Sequence, residues 1–322
     1  MRKFLAIFCV LAAACAARAQ PAPPAALEPV VPQWAEIETV EVHAAPGPPL
    51  WHVTKGNSEV WILGMIGALP KGVTWNQQIL SDLLQGSRAI VMPARPKIDV
   101  LDVGWFLLGH CCSLFRLDSG KLDDFLPPPM RLKLAAMVQS VGGNLKDYQG
   151  DEPLGAANRL HRDFVKKYEL DGDSPMDAVS KLASAKNVEL EPAFRFDPMP
   201  IIREAIKLTL EQQRPCLDAA TEDAARMAEH GRAMGDAWVV GDIKGVKEHF
   251  AESRTQDCLA AAVHAYGAID QNRVPAFVAA IDDALDKPGK TIAVIGIGAL
   301  LRKGGVLEQL EAQHLTIEGP AK

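Results

Sequence analysis

The chain is short of aromatic residues and of positive charge. Aromatics make up 6% of it, with 3 Tyr, and 34 Lys and Arg face 40 Asp and Glu for a formal net charge of -6. Such a chain lacks the cation excess that holds nucleic acid or an anionic membrane surface, so neither is expected as a partner. Beyond the N-terminus no apolar run approaches the ~20 residues that span a bilayer, and no integral membrane segment is expected in the mature chain. Ser113 and Ser119 lack a G-x-S-x-G context, which leaves serine hydrolysis without support. Gly296-Ile297-Gly298 opens like a dinucleotide fingerprint, but Leu301 holds its sixth position. No acid ~20 residues on ends a second strand with enough chain left to complete that fold, so a nucleotide site is not expected.

Histidine is sparse, 8 in all. His161, His230 and His249 fall at polar helix positions with no His four residues on, and read as solvated surface residues; His52 reads as a face residue of a strand. His110-Cys111-Cys112 closes an apolar run at 103–108 and reads as buried thiols beside a capping His, with a soft-metal cluster as the alternative. No cofactor is expected.

What the chain does have begins with the form of a secretory signal. Arg2 and Lys3 are a positive opening, 4–14 is apolar but too short to cross a bilayer, and Ala17-Arg18-Ala19 fits an A-x-A cleavage site. The expected mature protein starts after Ala19 and is periplasmic or secreted. The alternatives are an uncleaved anchor, or a lipoprotein at Cys15, where Ala12 matches a lipobox poorly. Losing residues 1–19 removes Arg2, Lys3 and Arg18 and takes the net charge from -6 to -9. Residues 20–36 are a Pro/Ala-rich lead that reads as disordered, and 37–322 reads as a single domain. In an oxidising compartment Cys216 and Cys258, both in predicted helices, form a candidate disulfide; adjacent Cys111 and Cys112 rarely bridge each other.

Residues 37–42 alternate with period two and read as an edge strand. Strands at 50–53 and 59–63 make a hairpin around Lys55-Gly56-Asn57-Ser58. A helix over 74–84 and a strand at 89–92 follow, an order that predicts parallel pairing of 60–63 with 89–92. Residues 100–286 read as mostly helical, with a stop at Pro127-Pro128-Pro129, helices at 153–168, 174–185 and 274–285, and a 199–234 stretch interrupted near Pro215. A short strand lies at 188–191. The end repeats the beginning: strand 291–295, a Gly turn, helix 304–313, strand 314–318. The expected fold is α/β, a mixed sheet from two pseudo-equivalent β-turn-α-β halves with a large helical insert between them.

Leu63-Gly64-Met65-Ile66-Gly67 and Ile295-Gly296-Ile297-Gly298-Ala299-Leu300 each follow a β-branched run. With Pro49-Leu50-Trp51-His52-Val53 before them, Ala237-Trp238-Val239-Val240-Gly241-Asp242-Ile243 between, and Val306 to Leu310 after, they resemble the TraB/GumN family, related to Tiki-type metalloproteases, over 49–317. The resemblance implies a metal-dependent hydrolase whose two turns, G-x-x-H and G-x-G-H, each deliver a histidine. Here Gly67 and Ala299 stand at the histidine positions, and Pro93 stands where the second strand ends in an acid. Asp270-Gln271-Asn272 stands for the family's E-R-N, and Leu190-Glu191 for its L-E pair.

A catalytic divalent metal needs about three protein ligands and an open position. Glu191, Asp270 and Asn272 are too few and too hard to hold zinc tightly. Gly64, Gly67, Glu191, Asp270, Asn272, Gly296, Gly298 and Ala299 therefore read as a vestigial pocket, with Gly64, Gly296 and Gly298 kept for sharp strand-to-helix turns. Walls of Trp61, Trp75 and Met65 would make that pocket apolar and suited to a small lipid-like molecule. The expected protein is non-catalytic and binds a small molecule or an envelope protein. The alternatives are a hydrolase with relocated metal ligands, such as Glu191, Asp270 and a His, and a structural partner with an exposed apolar face near 100–108.

Overall fold

A computed structural model describes residues 32–36, 40–41, 47–97 and 114–320. The signal-like segment with Cys15, most of the Pro/Ala-rich lead, the apolar run at 100–108 with Trp105, and His110-Cys111-Cys112 lie outside the described residues.

The strands are β1 (Val40–Glu41), β2 (Leu50–Lys55), β3 (Ser58–Met65), β4 (Ser87–Met92), β5 (Arg95–Pro96), β6 (Glu189–Pro192), β7 (Arg195–Phe196), β8 (Gly289–Gly296) and β9 (Thr316–Gly319). Seven form one mixed sheet in the order β1-β9-β2-β3-β8-β4-β6, while β5 and β7 pair separately. Within the large sheet β2 is antiparallel to β3 and β9, and the other neighbours are parallel. The β2–β3 hairpin closes on Gly56-Asn57, with Gly56 at φ 60, since a two-residue turn that follows the strand twist needs positive φ. The strands thus run through Lys55 and Ser58, so the turn is two residues shorter than the four-residue turn the sequence suggests.

β8 sits inside the sheet, between β3 and β4, because it is apolar on both faces. Ile292, Ala293, Val294 and Ile295 are each 0% exposed, and burying each Ile or Val there contributes ~1.5–3 kcal/mol. This overturns the expected pairing of 60–63 with 89–92. Trp61 lies opposite Ile292 on one side of β8, and Ile90 opposite Ile292 on the other. A strand from the far end of the chain separates the two.

The second half also departs from expectation. β8 passes directly into a helix, Ile297–Leu301, and a second, Val306–Glu311, precedes β9. Residues 33–35, placed in the lead by composition, pair with this end of the molecule: Ala35 N–H donates to Leu301 O at 3.0 Å, and Lys303 N–H to Gln33 O at 2.6 Å.

The middle is helical. Its helices span Leu122–Phe125, Pro128–Ser140, Pro153–Lys167, Pro175–Lys186, Met199–Ala205, Leu210–Val239, Ile243–His249, Arg254–Ala262 and His264–Leu285. The expected stop holds, since the Leu122–Phe125 helix ends before Pro127; Pro128 and Pro129 then open the next helix, because first-turn N–H groups have no intrahelical acceptor to lose. The break expected at Pro215 falls at 206–209. Thr209 and Gln212 cap each other's backbone there, at 3.3 and 2.9 Å, and Pro215 lies inside the next helix. Leu134, Val138, Leu160, Phe164 and Leu217 form a core separate from that of the sheet. Buried Gln213 ties two of these helices, accepting from Leu154 N–H at 3.1 Å and donating to Glu152 Oε2 at 2.7 Å. Cys216 and Cys258 are joined by a disulfide between the Leu210–Val239 and Arg254–Ala262 helices. Among the described residues no helix is long and apolar enough to cross a membrane.

Candidate functional site

β3, β8, β4 and β6 run in the same direction, so their C-terminal ends share one edge of the sheet. That topology brings four sequence-predicted positions to the same end of the sheet: the 64–67 segment at the end of β3, the 296–299 segment where β8 passes into a helix, Pro93 after β4, and Glu191 at the end of β6. Asp270 and Asn272 ride on the His264–Leu285 helix.

The glycines there are not kept for left-handed turns. Gly64, Gly296 and Gly298 do not have positive φ, and Gly296 stands where β8 passes into the Ile297–Leu301 helix. Gly64 lies within β3, and a Cβ on it would stand 2.7 Å from Ile297 Cδ1 and 2.7 Å from Trp51 Cζ3. Gly298 opens onto Phe250, whose Cζ would be 2.8 Å away. Close approach of neighbouring side chains, to β3 at Gly64 and to the Ile297–Leu301 helix at Gly298, is what needs glycine at both. Gly67 and Gly296 face open space. Gly64→Ala is therefore expected to destabilise by ~1–3 kcal/mol, and Gly67→Ala to stay within ~0.5 kcal/mol. Urea unfolding of the two variants checks this; equal costs would refute the close-approach account.

Trp238 holds the first turn in place. Its indole N–H donates to Gly64 O at 2.6 Å, its side chain is fully buried, and Trp75 packs edge-on against it at 5.5 Å. Gly241, at φ 75, ends the Leu210–Val239 helix, and Asp242 caps the next by accepting from Gly245 N–H at 2.9 Å. The W-x-x-G-D element thus anchors β3, turns the chain and starts a helix.

The residues that remain at the site do not fit a metal centre. Gly67, Ala299 and Pro93 have no donor side chain, Glu191 and Asn272 are exposed, and Asp270 is paired with Arg273 at 2.9 Å. Among the described residues no group of three or more His, Cys, Asp or Glu is placed to hold a metal ion. The Glu191–Asp270–His convergence is therefore not formed by those residues. Near Asp270 the field is acidic: burial first, then Asp270 and Asp223, push the Asp257 carboxyl up from its ordinary value.

The described tryptophans lie in different surroundings. Trp51 and Trp75 are buried in the core, and Trp61 stacks on His52 at 4.1 Å on the sheet face. His52 is also more than a face residue: its ring nitrogens meet Glu59 at 2.9 Å and Glu318 at 3.3 Å.

A concavity lies in the helical middle. A cavity of about 990 Å³ is walled by Leu154, Met199, Ile202, Met227, Leu259 and Val263, among others. Phe250, which packs on Gly298, lines it too, so it borders the closing turn. His161, His230 and His249 also face it. His230 and His249 are half-buried and meet each other, Nδ1 to Nδ1 at 3.4 Å, which corrects their reading as solvated residues. They are 19 residues apart on two helices, so helical spacing could not reveal them. The available signal was the Gly241 turn, which folds the second helix back along the first.

A family model, described as the TraB/PrgY/gumN family, matches residues 49–319. No curated protein and no solved structure matches the chain.

Proposed function

Because the chain belongs to the TraB/PrgY/gumN family yet has no donor at Gly67, Pro93 or Ala299, we propose that it is an exported, non-catalytic member acting by ligand binding in the cell envelope. The ligand is a small apolar molecule held among the helices of the middle region. The observation that carries this reading is the cavity of about 990 Å³, a volume in the range of small-molecule sites, with an apolar wall of Leu, Ile, Met and Val. Export draws support from the signal-like N-terminus and from the Cys216–Cys258 disulfide, which persists in oxidising compartments. The empty motif positions weigh against the hydrolase reading, since no other described cluster takes their place.

Nile red, a neutral apolar fluorophore, tests the cavity. The expected result is saturable binding at one dye per chain, with affinity at least ~10-fold lower in Ile202→Trp and Met227→Trp, whose indoles would fill the chamber. A saturating ligand at 100 times its Kd would also raise stability by ~2.7 kcal/mol. Dye emission that never saturates, or that is the same in the filled variants, would overturn the proposal.

A further inference from the structure

We propose that the cavity takes an amphiphile of the fatty-acid class, whose carboxylate head meets Arg226, His230 and His249. The inference rests on the apolar-ligand reading above and adds the polar end of that ligand. Arg226 and His230 both line the cavity from the Leu210–Val239 helix. They are four positions apart, so they stand on one face, a turn from each other. His249 ends the Ile243–His249 helix and meets His230, Nδ1 to Nδ1 at 3.4 Å. These side chains make a polar strip, while Leu154, Met199, Ile202 and Leu259 supply apolar wall for a hydrocarbon tail.

The charge along the strip carries the inference. Arg226 is always a cation, and its side chain is only 14% exposed. One of its terminal nitrogens donates to Asp223 Oδ1 and to Glu252 O. The guanidinium has further N–H donors in a fixed fork, suited to a carboxylate.

The acids facing the cavity are already engaged. Asp223 also accepts from Ser253 Oγ at 2.8 Å and from the N–H groups of Arg254 and Thr255 at 3.0 and 2.9 Å. Glu252 Oε1 lies 3.7 Å from Arg302 Nη1. Tyr266, on the His264–Leu285 helix, stays neutral because burial pushes its phenol up from the ordinary value. Glu229 Oε2 lies 3.7 Å from His230 Nε2 on a largely exposed side chain, and favours the protonated ring. His161, on the Pro153–Lys167 helix, adds a further base. With Asp223 set against Arg226 and Glu252 against Arg302, the imidazoles decide the sign. An imidazole that gains a carboxylate neighbour takes up a proton more readily, and then donates a charge-assisted hydrogen bond. An alcohol head gains no such bond, and Arg226 repels a cationic one.

Calorimetry with decanoate, 1-decanol and decyltrimethylammonium, each below its micelle-forming concentration, tests the head on the parent protein. One decanoate per chain is expected, bound at least ~10-fold more tightly than 1-decanol, with the ammonium weakest. The binding enthalpy of decanoate at neutral pH should change with the buffer in the sense of proton uptake. In the double variant His230→Ala/His249→Ala the gap between decanoate and 1-decanol should close to ~3-fold or less and proton uptake should fall. 1-Decanol and Nile red should bind that variant as they bind the parent, which separates loss of the head contacts from loss of the cavity. Equal parent affinities for decanoate and 1-decanol, or a gap unchanged in the double variant, would overturn the carboxylate head. Saturable Nile red binding beside either result would leave the cavity reading standing. Failure of the dye and of all three amphiphiles to bind the parent would remove both.

Discussion

Trp238→Ala is expected to destabilise the protein by ~3–5 kcal/mol, the range for emptying a buried indole site. Trp238 is 0% exposed, so nothing in the folded state compensates for the space. Two further losses act in the same direction. The Gly64 carbonyl loses its 2.6 Å donor, and a buried acceptor left without a partner costs ~1–3 kcal/mol unless water enters. The edge-on contact with Trp75 goes as well, worth ~0.5–1.5 kcal/mol beyond its area. Trp238→Phe separates the parts, because it keeps most of the apolar volume and removes only the donor. It should cost ~1–3 kcal/mol. Urea denaturation with both variants measures the difference. Equal stabilities for Trp238→Phe and the parent would mean that the indole N–H does not hold the turn.

The second large effect is loss of the disulfide. Cys216 and Cys258 are 42 residues apart, and the loop-entropy relation for a closure of that length gives ~4 kcal/mol. The double variant Cys216→Ala/Cys258→Ala is the right comparison, since a single change leaves a lone thiol. It should unfold at markedly lower urea, and the parent under reductant should approach the same midpoint. The link ties the long Leu210–Val239 helix to the Arg254–Ala262 helix that also lines the cavity. Nile red affinity should therefore fall with it. A stability difference below ~1 kcal/mol would show that the packed helices, held also by Asp223 accepting from Ser253, Arg254 and Thr255, suffice without it.

Asp223 explains why those helices were individually readable but their assembly was not. Each helix has a local start signal, such as Thr209 with Gln212, or Ser253 accepting from Gln256 N–H at 3.2 Å. Asp223, in contrast, serves the start of a helix 30 residues further on. No local pattern marks that role. The same split runs through the sheet. The hairpin was legible because its turn chemistry lies within four residues, at Gly56 and its neighbours. The neighbour of β3 was not, because β8 comes from more than 200 residues later in the chain.

The candidate site divides in the same way. Its motif positions were legible from the two glycine-paired turns, and the parallel strands do bring them to one sheet edge. The cavity was not legible, since it is lined from five or more helices by Met, Ile and Leu that look like ordinary core residues.

By itself the sequence determined the family, the α/β class, the helices with their own caps and the absence of donor side chains at Gly67, Pro93 and Ala299. These are local or position-by-position properties, set by periodicity, capping and side-chain chemistry. The tertiary structure alone decided that β8 separates β3 from β4, that Gly64 is required by Trp51 and Ile297, and that His230 meets His249. Those outcomes depend on which buried surfaces meet across long stretches of chain, and burial is a collective property that no short window of residues contains.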